Sequence, residues 1–148
     1  MSTLKILFLC TGNSCRSQMA EGWARHLHPE RIQAHSAGLE THGLNERAVA
    51  VMAEAGVDIS LQYSKTIEEL GEQSFDYVIT VCDHAHESCP LFPGTTIVVH
   101  VGFADPPRLT RDIAGHGGDE QQILACYRRV RDEIRDWVAT LPESLPGR

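Results

Sequence analysis

The sequence has no apolar run long enough to cross a membrane. The longest strongly apolar stretches, Ile6–Leu9 and Ile97–Val99, fall far short of the roughly 20 residues a spanning helix needs. Positive charge is scarce: 13 Lys and Arg stand against 20 Asp and Glu, for a net charge of −7 with no basic stripe. That balance argues against nucleic acid and anionic membranes as partners. Low-complexity tracts and repeats are also lacking, so the 148 residues are read as one domain, 1–148. The first five residues run straight into a strand-like segment, leaving no room for a signal peptide, and a cytoplasmic monomer is expected. An acidic chain that binds an anion must do so with focused local donors, which points to a site built from backbone.

Cysteine, by contrast, is plentiful. Five cysteines are an odd and large number for a short cytosolic chain, so catalysis, redox work or metal binding must be weighed against buried thiols acting as small hydrophobes. Cys126, inside a helical pattern, is assigned to the buried class.

Apolar spacing outlines the elements. Lys5–Leu9 reads as a buried strand, and Met19, Trp23 and Leu27 mark a helix from about Cys15 to His28. Ile32–Ala37 is a second strand ended by Gly38. Leu44, Ala48, Val51, Met52 and Ala55 form a helical stripe stopped by Gly56. Phe75–Val81 and Thr95–Val101 are β-branched runs read as two more strands. Between them Cys82–Cys89 is a short helix or mobile loop. A long amphipathic helix runs from Ile123 to Leu141, followed by a frayed tail marked by Pro142, Pro146 and Gly147. Alternating strands and helices imply a parallel sheet covered on both faces, with ligands at the carboxyl ends of its strands.

The loop after the first strand is Cys10-Thr-Gly-Asn-Ser-Cys-Arg16. The Cys-x5-Arg spacing alone is weak, but its context is specific: an apolar strand before it, Gly12 and Asn13 within it, and Ser17 opening a helix. Five intervening residues can curl so that successive N–H groups converge on an oxyanion, and Gly12 and Asn13 tolerate the left-handed conformations this demands. The following helix adds the positive end of its dipole. These fields favour the thiolate of Cys10 as nucleophile, Arg16 offers a fork for two oxygens, and the Ser17 hydroxyl can steady the sulfur. The expected substrate-binding set is Thr11, Gly12, Asn13, Ser14, Cys15, Arg16 and Ser17.

Leu9 to Ser17 resembles the active-site loop of the low-molecular-weight protein tyrosine phosphatase superfamily. Gln18-Met-Ala-Glu-Gly22, Ser36-Ala-Gly-Leu-Glu-Thr-His-Gly-Leu-Asn45 and the pair Cys82/Cys89 are similar, more narrowly, to its thioredoxin-coupled arsenate reductases. The resemblance implies an α/β, three-layer flavodoxin-like fold with a four-stranded parallel sheet, and reduction of arsenate to arsenite for detoxification. It further implies Asp105, in Phe103-Ala-Asp-Pro-Pro107, as the acid that protonates the leaving oxygen; Pro106 would hold it extended. Without the Cys10 loop, Asp-Pro-Pro would read as an ordinary turn. Cys10 alone would make a phosphatase, a weak side activity here. Reduction needs two electrons, so Cys82 attacks Cys10 and the disulfide passes to Cys82–Cys89 for thioredoxin to reduce. If the intervening segment is helical, those two cysteines lie about 10.5 Å apart along its axis, beyond the ~7 Å limit for a disulfide, so it must unwind.

Other readings compete. Cys82, His84, His86 and Cys89 are all possible zinc ligands, but one short segment would have to wrap a tetrahedral ion in no usual pattern; solvated loop histidines are the blander account, and no metal is assigned. Some members of the reductase subgroup bind potassium, and Asn13, Glu21 and Ser36 match that site. The position that is acidic in the cation-binding members is Lys65 here. Its ammonium either takes the ion's charge role or is an exposed side chain, and no cofactor beyond thioredoxin as reductant is expected. Glu40, Thr41 and His42 stand where phosphatases carry aromatic residues, which suits a small inorganic anion. Cys15 is either structural or an off-pathway partner of Cys10.

Overall fold

Ile6, Leu7, Phe8 and Leu9 are all completely buried, so the first strand has no face left for water. That is the signature of a parallel sheet covered by helices on both sides. The computed structural model describes residues 3–71, 73–90, 92 and 94–147; the two ends of the domain expected over 1–148 lie outside them. The strands are β1 (Leu4–Cys10), β2 (Ile32–Gly38), β3 (Tyr77–Thr80) and β4 (Ile97–His100). The helices are α1 (Arg16–Leu27), α2 (Glu46–Glu54), α3 (Asp83–Glu87), α4 (Pro106–Gly115) and α5 (Glu120–Val138), with a single 3-10 turn at Glu68–Leu70.

All pairings are parallel and the sheet order is β2-β1-β3-β4. The chain therefore moves outward on one side of β1, then crosses to the other side for β3 and β4. Helices diverge at such a reversal and leave a crevice at the carboxyl ends of the two central strands. Leu9 pairs with Thr80 at the ends of β1 and β3, so Cys10 and Cys82 emerge on either side of that crevice although 71 residues separate Thr11 from Cys82. This is the α/β, flavodoxin-like four-stranded sheet that the sequence leads one to expect.

Helix α1 packs on β1 and β2, and α5 covers α1 while also meeting α2 and α4. Tyr127, Val130, Ile134 and Val138 of α5 are buried, and each such side chain contributes about 1.5–3 kcal/mol of burial. The ion pairs Arg47–Glu120 and Arg128–Glu54 also join α5 to α2. They are solvent-exposed and contribute at most about 1 kcal/mol each, so apolar burial is what docks α5. Asp119 and Gln122 form a capping box at its start.

Three expectations change. The segment from Pro106 is a ten-residue helix, α4, that the apolar spacing did not outline: two prolines at its first positions need no N–H and fit there. Its only fully buried residue is Pro106, and its apolar stripe is short, made of Pro106, Leu109 and Ile113. The tail after α5 is not frayed: Leu141 is fully buried and Tyr77 Oη donates to the Pro146 carbonyl at 2.6 Å. Strands β3 and β4 are four residues each, shorter than their apolar runs.

Gly22 shows how tightly α1 is seated. A Cβ at this position would lie 2.6 Å from Ile59 Cγ2 and 3.2 Å from Met52 Cε. Replacing Gly22 by alanine adds roughly 0.5–1 kcal/mol of helix propensity but overpacks the core at a cost of about 1–3 kcal/mol. Packing wins. Gly22→Ala is expected to lower stability by about 1 kcal/mol in urea unfolding; a gain would show that α1 is free to move away from Ile59.

Candidate active site

Cys10 ends β1 and is buried, its Sγ 3.0 Å from the Ser17 hydroxyl. The loop that follows is held entirely by its carbonyls. Leu39, Glu40, His42 and Asn45 donate backbone N–H groups to the carbonyls of Cys10, Thr11, Gly12 and Ser14 at 2.9–3.3 Å. Gln18 Nε2 takes the Asn13 carbonyl at 3.0 Å and Met19 N takes that of Cys15 at 2.9 Å. Among the described residues, no backbone N–H from 11 to 15 donates to a protein acceptor. A row of unsatisfied donors on a tight curl is an anion nest. Helix α1 begins at Arg16 with no side-chain cap and no acidic residue in its first turn, so the positive end of its dipole acts on the same point.

Asn13 makes the curl possible. It is the one non-glycine residue with positive φ among the described residues, +47°, and it is completely buried. Its Nδ2 donates to Ser17 Oγ at 2.9 Å, and its Oδ1 accepts from Gln18 Nε2 at 3.0 Å and Lys65 N at 2.9 Å. Gly38 at the end of β2 supports the loop by close approach. A Cβ there would come within 2.7 Å of the Thr11 carbonyl oxygen and 2.8 Å of Asn13 N, contacts that no larger residue tolerates.

Arg16 is turned toward the loop that carries Asp105. Its Nη1 donates to the Phe103 carbonyl at 3.0 Å and its Nη2 lies 3.7 Å from Asp105 Oδ1. Asp105 precedes α4 in extended conformation, φ −94° and ψ 104°, and its side chain caps nothing; the carboxyl remains available to a substrate. Cys10, Arg16 and Asp105 line a cleft of about 390 Å³ together with His42, Asn45 and Arg111. A larger cleft of about 520 Å³ beside Glu21 and Lys65 holds none of these groups, so size does not identify the site.

The predicted residues divide by position. Thr11, Gly12, Ser14, Cys15 and Arg16 reach the cleft, whereas Asn13 and Ser17 sit fully buried behind it. Burial, then the neighbouring Cys10, drives the Cys15 thiol far above its ordinary range. That keeps Cys15 neutral and poorly nucleophilic. Cys82 caps α3, its Sγ accepting from Ala85 N and lying 3.4 Å from Thr11 Oγ1. Cys89 lies beyond the far end of α3, partly exposed, its Sγ donating to the Pro90 carbonyl. No cysteine is paired. Among the described residues no three possible metal ligands converge, and His86 instead stacks on His100 with ring centroids 4.4 Å apart.

The oxygens that match a potassium site are engaged with protein groups, and the Lys65 ammonium lies 3.9 Å from Glu21 Oε1. Glu21 Oε1 accepts from Ser36 Oγ at 2.5 Å, Oε2 accepts from Arg25 at 2.6 Å, and Asn13 Oδ1 is doubly bonded as above. Lys65 is buried beside them rather than exposed.

His42, which the sequence places at the substrate cleft, does line it; sequence reading gave no role to Asn45 or Arg111. A Cβ on Gly12 would lie 2.3 Å from His42 Nδ1, so the ring covers that glycine, while His42 Nε2 pairs with Glu40 at 2.6 Å. Asn45 caps α2 and donates to Tyr127 Oη at 3.1 Å. The Asn45 cap could have been read from its position before the helical stripe; nothing in the sequence pointed to Arg111.

Asn13 variants separate backbone from side chain. Asn13→Gly keeps the left-handed turn but loses the bonds to Ser17, Gln18 and Lys65, for an expected loss of about 2–3 kcal/mol. Asn13→Ala should cost about 1 kcal/mol more for the left-handed strain. Equal stability of the two variants in urea unfolding would mean that φ at this position relaxes at no cost.

A sequence profile of the low molecular weight phosphotyrosine protein phosphatases matches residues 5–146. An arsenate reductase of Halalkalibacterium halodurans is 46% identical over 144 residues, 97% of this chain and 99% of that protein. That of Bacillus subtilis strain 168 is 46% identical over 139 residues, 94% and 95% of the two chains. Among solved structures, an arsenate reductase in the phosphate binding state superposes with a TM-score of 0.73 at 32% identity, covering 97% of this chain and 100% of that one. The low molecular weight protein tyrosine phosphatase of T. tengcongensis gives 0.71 at 25% identity, covering 97% and 100%.

Proposed function

This chain belongs to the low molecular weight phosphotyrosine protein phosphatase family, and on that premise we propose how it works: it is an arsenate reductase driven by three of its own thiols and recycled by thioredoxin. The observation that carries the reading is the nest of unclaimed N–H donors at the Cys10 sulfur, next to a second thiol, Cys82, held 3.4 Å from Thr11.

Arsenate enters the cleft as a tetrahedral anion, its oxygens held by the N–H groups of residues 11–15 and by Arg16. The Cys10 thiolate attacks arsenic and an oxygen leaves as water, protonated by Asp105. This leaves an S–As(V) bond. The Cys82 thiolate then attacks Cys10 Sγ: an S–S bond forms, the S–As bond breaks, and its electron pair stays on arsenic, which departs as arsenite. Two electrons have moved from two thiolates to one arsenic. Cys89 next attacks Cys82 Sγ, expelling Cys10 as a thiolate and leaving a Cys82–Cys89 disulfide, which the dithiol of thioredoxin reduces.

The last exchange requires α3 to open, because Cys82 and Cys89 flank it at opposite ends. A five-residue helix has few bonds to lose, far below the length at which a helix is stable by itself. Its opening is therefore cheap, and it carries the oxidised pair away from the cleft. The reading includes a monomer working in the cytoplasm, where thioredoxin keeps thiols reduced. The same loop sustains slow phosphate-ester hydrolysis, since the first attack needs neither Cys82 nor Cys89.

The test is arsenate-dependent NADPH oxidation with thioredoxin and thioredoxin reductase. Cys82→Ser is expected to release no arsenite. Cys89→Ser is expected to release one arsenite per enzyme and then stop. Both should retain p-nitrophenyl phosphate hydrolysis, which Cys10→Ser abolishes. Undiminished multiple turnover in either distal variant would sink the three-thiol relay while leaving the oxyanion site intact.

A further inference from the structure

Behind the anion loop lies a buried ionic cluster that the reaction does not use. Glu21 and Lys65 are only 4% and 6% exposed. The Lys65 ammonium donates to the Tyr63 carbonyl at 3.0 Å, lies 3.9 Å from Glu21 Oε1 and sits 4.7 Å from the centroid of the Tyr63 ring. Ser36 Oγ donates to the same Glu21 oxygen. The backbone of this lysine is bonded on both sides: its N–H donates to Asn13 Oδ1 at 2.9 Å and its carbonyl accepts from Gly38 N at 2.8 Å. Asn13 in turn holds Ser17 at 2.9 Å, and Ser17 holds the Cys10 sulfur at 3.0 Å. A carboxylate, a carbonyl and an aromatic face thus surround one ammonium, three bonds away from the nucleophile.

We infer that Lys65 is a tethered cation: its ammonium permanently fills an oxygen-lined site under the anion loop and makes the loop's geometry independent of any free monovalent cation. Lys65 is a positioning residue, acting on Cys10 through Asn13 and Ser17. Burial makes the ammonium form harder to keep, and Glu21 works against that. Arg25, the other cation on Glu21, is 58% exposed at its side chain, so it cannot replace a buried charge. Without the lysine head group the oxygens of Glu21, Tyr63 and Ser36 would face a space shaped for a cation, and a small one could enter.

The experiment measures melting temperature in potassium, sodium and choline chloride at equal ionic strength, together with the alkylation rate of Cys10 by iodoacetamide, read by peptide mass. The unaltered protein should melt at one temperature in all three salts. Lys65→Ala should melt about 10 °C lower and alkylate several-fold more slowly at Cys10. Potassium or ethylammonium should restore part of both losses in a concentration-dependent way, while choline, too large to enter, restores neither. Lys65→Met, which fills the space with an apolar stem, should not respond to any cation. Potassium-specific stabilisation of the unaltered protein would overturn the inference, as would a folded Lys65→Ala that ignores potassium and ethylammonium. If Lys65→Ala does not fold, the unaltered protein decides, alongside Lys65→Met/Glu21→Gln, which lacks both charges and should melt identically in every salt. No readout involves arsenate, so this inference and the assignment of the reaction can fail separately.

Discussion

The site depends on a sorting of backbone polar groups between residues 10 and 15. All six carbonyls of that stretch are bonded away from the cleft, to Leu39, Glu40, His42, Gln18, Asn45 and Met19, while the N–H groups from 11 to 15 have no protein acceptor. A chain with net charge −7 cannot attract an oxyanion by its overall field. It can do so by orienting dipoles that are already fixed when the anion arrives, which is the preorganisation that makes such sites effective. The segment from 39 to 45 is therefore as much part of the site as the loop it ties back. Gly38 sets its starting point by letting β2 end in contact with the loop, and Asn13 supplies the one left-handed residue that makes the sorting possible. The unpaired donors are a cost to the empty protein of about 1–3 kcal/mol each where water cannot reach them, and an oxyanion removes that cost.

The sheet does the rest. Order β2-β1-β3-β4 brings the ends of β1 and β3 side by side as paired strands, so two cysteines remote in sequence become neighbours. Thr11 marks the junction: its backbone carbonyl is tied to Glu40 on one side and its hydroxyl meets Cys82 on the other. The second thiol comes within reach because of topology, and it keeps its freedom to move because the helix it caps is only five residues long.

How much of this was legible follows from where the information sits. The fold class could be read, since buried parallel strands appear as plain apolar runs such as Ile6–Leu9. Cys10 and Arg16 could be read as candidates from the local context of their loop, and Asp105 only through the family resemblance that this loop carries. Helix α4 was not read, since its stripe of Pro106, Leu109 and Ile113 is short and its start lies behind two prolines. Arg111 reaches the cleft by tertiary folding alone, which no local pattern encodes. Lys65 was readable as a charge change but not as a buried residue, because lysine is almost never buried without a partner and its partner Glu21 lies 44 positions earlier on another element. Asn13 and Ser17 were grouped with the substrate contacts; their side chains stand behind the loop and shape it, while the Asn13 N–H remains one of the loop's free donors.

Phosphatase and reductase share every step up to the bond between sulfur and the central atom, so the loop cannot distinguish them. The difference lies in what attacks next. If water attacks the central atom, the sulfur leaves with its electrons and nothing is reduced. If a thiolate attacks the sulfur, the central atom leaves with the electron pair, and this is feasible only for an atom that is stable with two more electrons. Arsenic is; phosphorus in phosphate is not. A site of this kind therefore need not exclude phosphate by shape. In the proposed scheme both anions meet the same donors, and discrimination falls on Cys82, which would convert only the arsenic adduct into a product that cannot return. His42, paired with Glu40 over Gly12, adds a second filter of a different kind. It lines the cleft with a polar ring bonded to a carboxylate, so an aryl ester would have to displace that bonded pair to seat its ring, whereas a bare tetrahedral anion would not.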